Sequence, residues 1–151
     1  MGKLHFILTK AHGGFAYIEL ILVLVFLVAL FAVMFGYSGR VTKLLRKSTL
    51  FVMIFFHIQL IVGFVMLIGT SEFLNTIKAV GMGKIMKDAY LRQSFVEHPT
   101  SMLIAAILMT IVNKKIKKAG HLSMSAFWLS VLAILFFGFA FSIVMGRLFG
   151  A

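Results

Sequence analysis

Four histidines are spaced so that each falls on, or at the start of, a different apolar run: His12, His57, His98 and His121. Neutral imidazole is the usual axial ligand where a protein holds haem b without a covalent link, and four-helix bundles build such sites from side chains on facing helices. With no cysteine in the chain, thiolate metal sites, disulfides and haem attachment through Cys-x-x-Cys-His are excluded. Glu19, Gln59, Arg92 and Glu97 are the other polar residues within or bordering the same runs. An ionisable side chain in hydrocarbon is costly unless partnered, so each is a candidate for function. Glu19 can snorkel outward or pair with Arg92. Glu97 points about 100° away from His98 on a helix, toward a neighbouring helix or a role as proton acceptor. His5 reads as a surface residue. A lone histidine, like Gln59, can also be a packing residue that bonds a neighbouring helix for about 0.6 kcal/mol.

The elements that must position these residues are membrane spans. Of the 151 residues 62% are hydrophobic, too many for the surface of a water-soluble domain of this length. A helix rises 1.5 Å per residue, so about 20 apolar residues cross a hydrocarbon core of ~30 Å. Runs over about 15–37, 49–69, 95–113 and 123–146 meet or approach that length, and together they predict one all-α domain, residues 1–151, an antiparallel four-helix bundle. The first run carries Glu19 and lacks a small-x-small cleavage site, so it is expected to stay in the protein. Between the second and third runs, Phe73, Leu74, Ile77 and Val80 fall near helical spacing, which suits a short amphipathic helix at the interface within 72–90, ended by Gly81 and Gly83. Trp128 reads as an interface anchor.

Fifteen Lys and Arg against four acids give a formal net charge of +11. The basic residues cluster in short connections rather than on a free face, which argues against a nucleic-acid partner. Arg40, Lys43, Arg46 and Lys47 follow the first span, and Lys114, Lys115, Lys117 and Lys118 follow the third. By the positive-inside rule these loops face the cytoplasm and both termini face outward, in a multi-pass membrane protein. Depth then restricts which histidines can meet. His57 lies ten residues beyond Lys47, ~15 Å deep, and His98 sixteen before Lys114, ~24 Å from the same edge. Helix tilt and a bend at Pro99 narrow that gap, so the pairs to expect are His57 with His98, as the ligands of a haem iron, or His12 with His98 nearer the surface, and His121 is the weakest candidate.

Ala11-His12-Gly13-Gly14, His57-Ile58-Gln59-Leu60-Ile61-Val62-Gly63, Val96-Glu97-His98 and Asn113-Lys114-Lys115-Ile116-Lys117-Lys118 occur in the order and spacing of a family that the chain resembles. This is the family of small bacterial four-helix membrane proteins labelled cytochrome-b-like, whose layout is similar to the four-helix halves of haem A synthase. The resemblance implies haem b held by histidines, with His12, His57 and His98 at the motif positions and His121 near a fourth. It implies a place in membrane electron transfer, with a quinone or a redox protein as partner. Where the family's first motif continues with an Arg-aromatic pair, this chain has Ala16-Tyr17, and a natural partner for a haem propionate is replaced. Competing readings are a cofactor-free accessory subunit, a small proton or ion conductor using Glu19, Glu97 and the histidines, and a zinc or iron site on His and Glu. No hydrolase spacing such as His-Glu-x-x-His occurs, so no enzymatic activity is assigned. Homo-oligomerisation is compatible with every reading.

Overall fold

The structure, a computed structural model, describes residues 2–69 and 72–148, and every described element is a helix. Helix α1 is Gly2–Phe31, extended by a wide π turn over Ala32–Gly36, and α2 is Lys43–Phe64, extended likewise over Val65–Gly69. Three short pieces follow, α3 (Glu72–Val80), α4 (Met82–Lys87) and α5 (Ala89–Arg92). A π turn over Gln93–Glu97 then leads into α6 (His98–Lys117), and α7 is Met124–Leu148. Four helical stretches, Phe6–Gly36, Lys43–Gly69, Ala89–Lys117 and Met124–Gly146, are long and apolar enough to cross a membrane.

Two helices reach further than hydropathy predicts. α1 begins at Gly2 rather than near 15, and the third stretch begins at Ala89 rather than 95. Hydropathy detects only the part of a helix that needs lipid, whereas helix propagation continues until something stops it. His12 is therefore inside α1, not at its entrance. The side chain of His5 lies outside the described residues. Gly81, at φ +77°, does separate α3 from α4, but Gly83 sits within α4 and breaks nothing.

The basic loops are tied to each other. Gly39, also at φ +77°, turns the chain so that its carbonyl accepts from Leu122 N at 2.7 Å, while Val41 N donates to Gly120 O at 2.9 Å. His121 pairs here with Arg40. The Arg46 guanidinium donates to Lys117 O at 2.9 Å and Ala119 O at 2.7 Å, satisfying carbonyls that the end of α6 leaves open. Thr42 and Ser123 cap the starts of α2 and α7, accepting from Leu45 N and Ala126 N. Gly39→Ala is expected to lose about 1–2 kcal/mol by forcing a Cβ into the left-handed region, measurable by reversible unfolding in mixed micelles.

Inside the bundle each long helix presents one stripe at heptad spacing. Glu19, Phe26 and Val33 on α1 and its π turn, Leu45, Val52 and Gln59 on α2, Ala105 and Val112 on α6, and Ala126, Ala133 and Ala140 on α7 are all buried. Residues in these sets stand seven apart, with Val23, Leu30, Phe56, Met109 and Phe137 filling the alternate turns. Large and small residues interdigitate across the seam. Phe56 of α2 stacks on Phe137 of α7 with ring centres 5.2 Å apart, and alanines 105, 106, 133 and 140 let backbones approach.

Candidate functional site

Toward the end of the bundle opposite the basic loops, the inward stripes change from apolar to polar. Stepping back seven from Glu19 gives His12, stepping on seven from Val52 gives Gln59, and stepping back seven from Ala105 gives His98. Heptad register thus aims the side chains of three helices at one place. The imidazole rings of His12 and His98 meet edge to face, with centres 5.9 Å apart and planes at 77°. Both line a cavity of about 440 Å³, together with Gln59, Gly63 and the hydroxyl residues Thr9, Thr76, Tyr90 and Ser94. A second, deeper cavity of about 30 Å³ is bounded by His12, Ala16, Glu19, Gln59 and His98.

The local helix geometry explains His98. Pro99 has no N–H and its ring crowds the carbonyl four residues back, at Phe95. The π turn over Gln93–Glu97 absorbs this misfit, and the His98 N–H closes it by donating to Gln93 O. His98 Nδ1 lies 3.0 Å from Ala140 O on α7. A carbonyl only accepts, so Nδ1 carries the proton and Nε2 is the basic nitrogen of the neutral ring. Gln59 Nε2 donates to His12 O at 3.0 Å, which fixes the orientation of its amide.

His57 occupies a different setting. It is exposed on the outer surface between α2 and α6, one position off the α2 stripe, and lines neither cavity. Its Nδ1–H donates to Met53 O at 2.8 Å, and Nε2 lies 3.3 Å from Thr110 Oγ1. Of the two pairs that depth allows, the structure brings His12, not His57, to His98. His121 is exposed in the basic loops at the far end.

Glu19 neither snorkels nor meets Arg92. It is 1% exposed on the inner stripe, because residue 19 shares the azimuth of Phe26. Arg92 instead pairs with Glu97, Nε to Oε1 at 2.7 Å, and also donates to Met86 O at 2.9 Å. Glu97 thus bonds within its own helical stretch, across the π turn, rather than to a neighbouring helix. With side chains 33% and 29% exposed, this pair is expected to show a coupling below about 1 kcal/mol in a double-mutant cycle of Arg92→Ala and Glu97→Gln. Thr9, Thr76 and Tyr90 escape a search for ionisable residues. Thr9 could have been found three positions before His12 on the same face, whereas Thr76 and Tyr90 reach the cavity through the fold of α3 to α5.

Among the described residues no group of three or more His, Asp or Glu converges on a point that could hold a metal ion. The fold and site define an all-helical protein with four helices able to cross a membrane and a paired-histidine cavity between them. Compared with known families, curated proteins and solved structures, the chain finds no match.

Proposed function

We propose that this chain is a b-type cytochrome or cytochrome-like electron-transfer subunit of the bacterial cytoplasmic membrane. In this reading it is an antiparallel four-helix bundle with both termini outside, and it holds haem b between His12 and His98. The observation that carries it is the pair of imidazoles 5.9 Å apart on the wall of a cavity of about 440 Å³. Two imidazole nitrogens each about 2 Å from a shared metal put their ring centres about 6 Å apart. The cavity falls in the range of roughly 300–1,000 Å³ typical of cofactor sites. A bare zinc or iron ion would want three or four protein ligands, and among the described residues two histidines line the cavity and no group of three or more His, Asp or Glu converges. A haem brings four nitrogens of its own and asks the protein for two.

Haem, when bound, would supply one-electron chemistry. The chain's own part is to present the two imidazoles and exclude bulk water. His98 is held at Nδ1 by Ala140 O and would offer Nε2 to the haem iron. Hydroxyl residues Thr9, Thr76, Tyr90 and Ser94 line the larger cavity, and among the described residues no Lys or Arg does, in keeping with Ala16 where the resembled family carries Arg. Electron donor and acceptor would be a quinone in the bilayer or a redox protein.

The test is a visible spectrum, oxidised and dithionite-reduced, of detergent-purified protein made with ample haem supply. Sharp reduced α and Soret bands are the expected result. A well-folded colourless protein would overturn the proposal in favour of a cofactor-free accessory subunit, in which these polar residues only lock the helices together.

A further inference from the structure

The outer face between α2 and α6 carries a polar pair on an apolar surface. His57 and Thr110 are both exposed there, and the exposed side chains of Ile54, Ile61, Ile107 and Ile111 flank them along their own helices. Their level is set from the basic end of the bundle, where Arg46 donates to Lys117 O. His57 lies eleven residues beyond Arg46, about 16 Å along α2, and Thr110 seven before Lys117, about 10 Å along α6. With Arg46 at the membrane edge, both stand well inside a hydrocarbon core of ~30 Å. A polar group facing acyl chains there costs free energy that a hydrogen-bonding partner recovers.

The bonding of the pair defines the partner it lacks. Met53 O only accepts, so the proton of neutral His57 is on Nδ1 and Nε2 is an acceptor. Thr110 has one hydroxyl proton, and its oxygen lies 2.9 Å from Ala106 O but 3.3 Å from His57 Nε2. The nearer carbonyl takes that proton, which leaves Nε2 open to a better donor. Phospholipid esters and phosphodiesters are acceptors and stay at the edge of the core. A second copy docked here about a two-fold axis brings an identical set of groups, short of the same proton. We propose that this face binds a lipid-soluble quinol, whose ring hydroxyl donates to His57 Nε2 while its apolar tail lies along the isoleucines. The need for a donor rests on the face alone, and the choice of a quinol among lipophilic hydroxyl compounds rests on the electron-transfer reading above. Gln59, two residues on, lies about 200° further round α2 and lines the histidine cavity, so one helix carries the quinol on its outer side and the paired imidazoles on its inner side.

The test titrates decylubiquinol, held reduced under anaerobic conditions, into haem-free protein labelled with ¹⁵N-histidine in phosphatidylcholine nanodiscs. The expected result is a saturable shift of the His57 Nε2 resonance toward that of a hydrogen-bonded nitrogen. The dimethyl ether of the same quinol keeps the ring and tail but has no hydroxyl, and is expected to bind about tenfold more weakly, the worth of one hydrogen bond. His57→Phe, which keeps a flat ring at the same place, is expected to lose the same factor in quinol affinity with its helix content unchanged. An unmoved Nε2 resonance, an ether that binds as well as the quinol, or a His57→Phe variant that binds as the parent does each overturns the proposal. A shift already present before quinol is added, together with cross-linking of two chains through α2, overturns it in favour of self-association. The haem reading is judged separately. A colourless parent whose Nε2 still responds to quinol sinks the cytochrome and keeps this site, whereas haem bands with an unresponsive Nε2 do the opposite.

Discussion

Replacing either His12 or His98 by alanine is expected to abolish the reduced α and Soret bands of haem-supplied protein, while His57→Ala leaves them at parental intensity. The contrast is set by azimuth rather than depth. His12 and His98 share a cavity wall, whereas His57 lies on the outer surface of α2 with its Nδ1–H already given to Met53 O. Haem b, if held there, would lose one of the two histidines that retain it without covalent attachment, and among the described residues no third histidine lines that cavity. His98→Ala is expected to be the more damaging, because it also frees Ala140 O and removes a side-chain hydrogen bond that joins α6 to α7. Bands that vanish in His57→Ala and survive in His12→Ala would overturn the assignment and move the iron to the α2–α6 surface. Circular dichroism on each variant separates a lost cofactor from a lost fold.

Hydropathy alone finds the four long helices, because twenty-odd apolar residues in a row have few other uses and lipid leaves the backbone no alternative to the helix. What it misplaces are their starts. The apolar run begins near 15, after Lys3 and Lys10, yet nothing there stops helix propagation, and α1 runs back to Gly2. The histidines were legible as a set but not as a pair. Counting 1.5 Å per residue measures height along a helix and says nothing of direction around it, so it offers His57 with His98 as the iron ligands, whereas the structure sets His12 beside His98. The direction was present in the sequence in another form. Positions 12, 19, 26 and 33, positions 45, 52 and 59, and positions 98, 105 and 112 each repeat every seven residues, and each set is apolar except at its polar end. Reading that seam picks out His12, Glu19, Gln59 and His98 and rejects His57. The π turn before His98 was not legible, since Pro99 signals a disturbed helix without saying whether it bends, breaks or widens. Nor was the Arg92 pairing with Glu97, which depends on that extra residue in the turn.

The same seam predicts a large difference between two neighbouring residues. Phe56→Ala is expected to cost about 2–3 kcal/mol of stability in mixed-micelle unfolding, and His57→Ala about 0.6 kcal/mol. Phe56 is fully buried and stacks on Phe137 across the bundle. In a water-soluble core its truncation would cost about 3–5 kcal/mol, part of which is transfer out of water. Between helices surrounded by lipid that part largely disappears, because the separated helices expose Phe56 to acyl chains as apolar as the core. What remains is the loss of close contacts and of the ring pair, which no lipid tail can replace in a cavity closed by four helices. His57 forfeits only a bond to its own helix and a long contact to Thr110. If the order were inverted, residue 57 rather than 56 would face inward, α2 would be rotated by about 100°, and Gln59 could no longer lie beside His12.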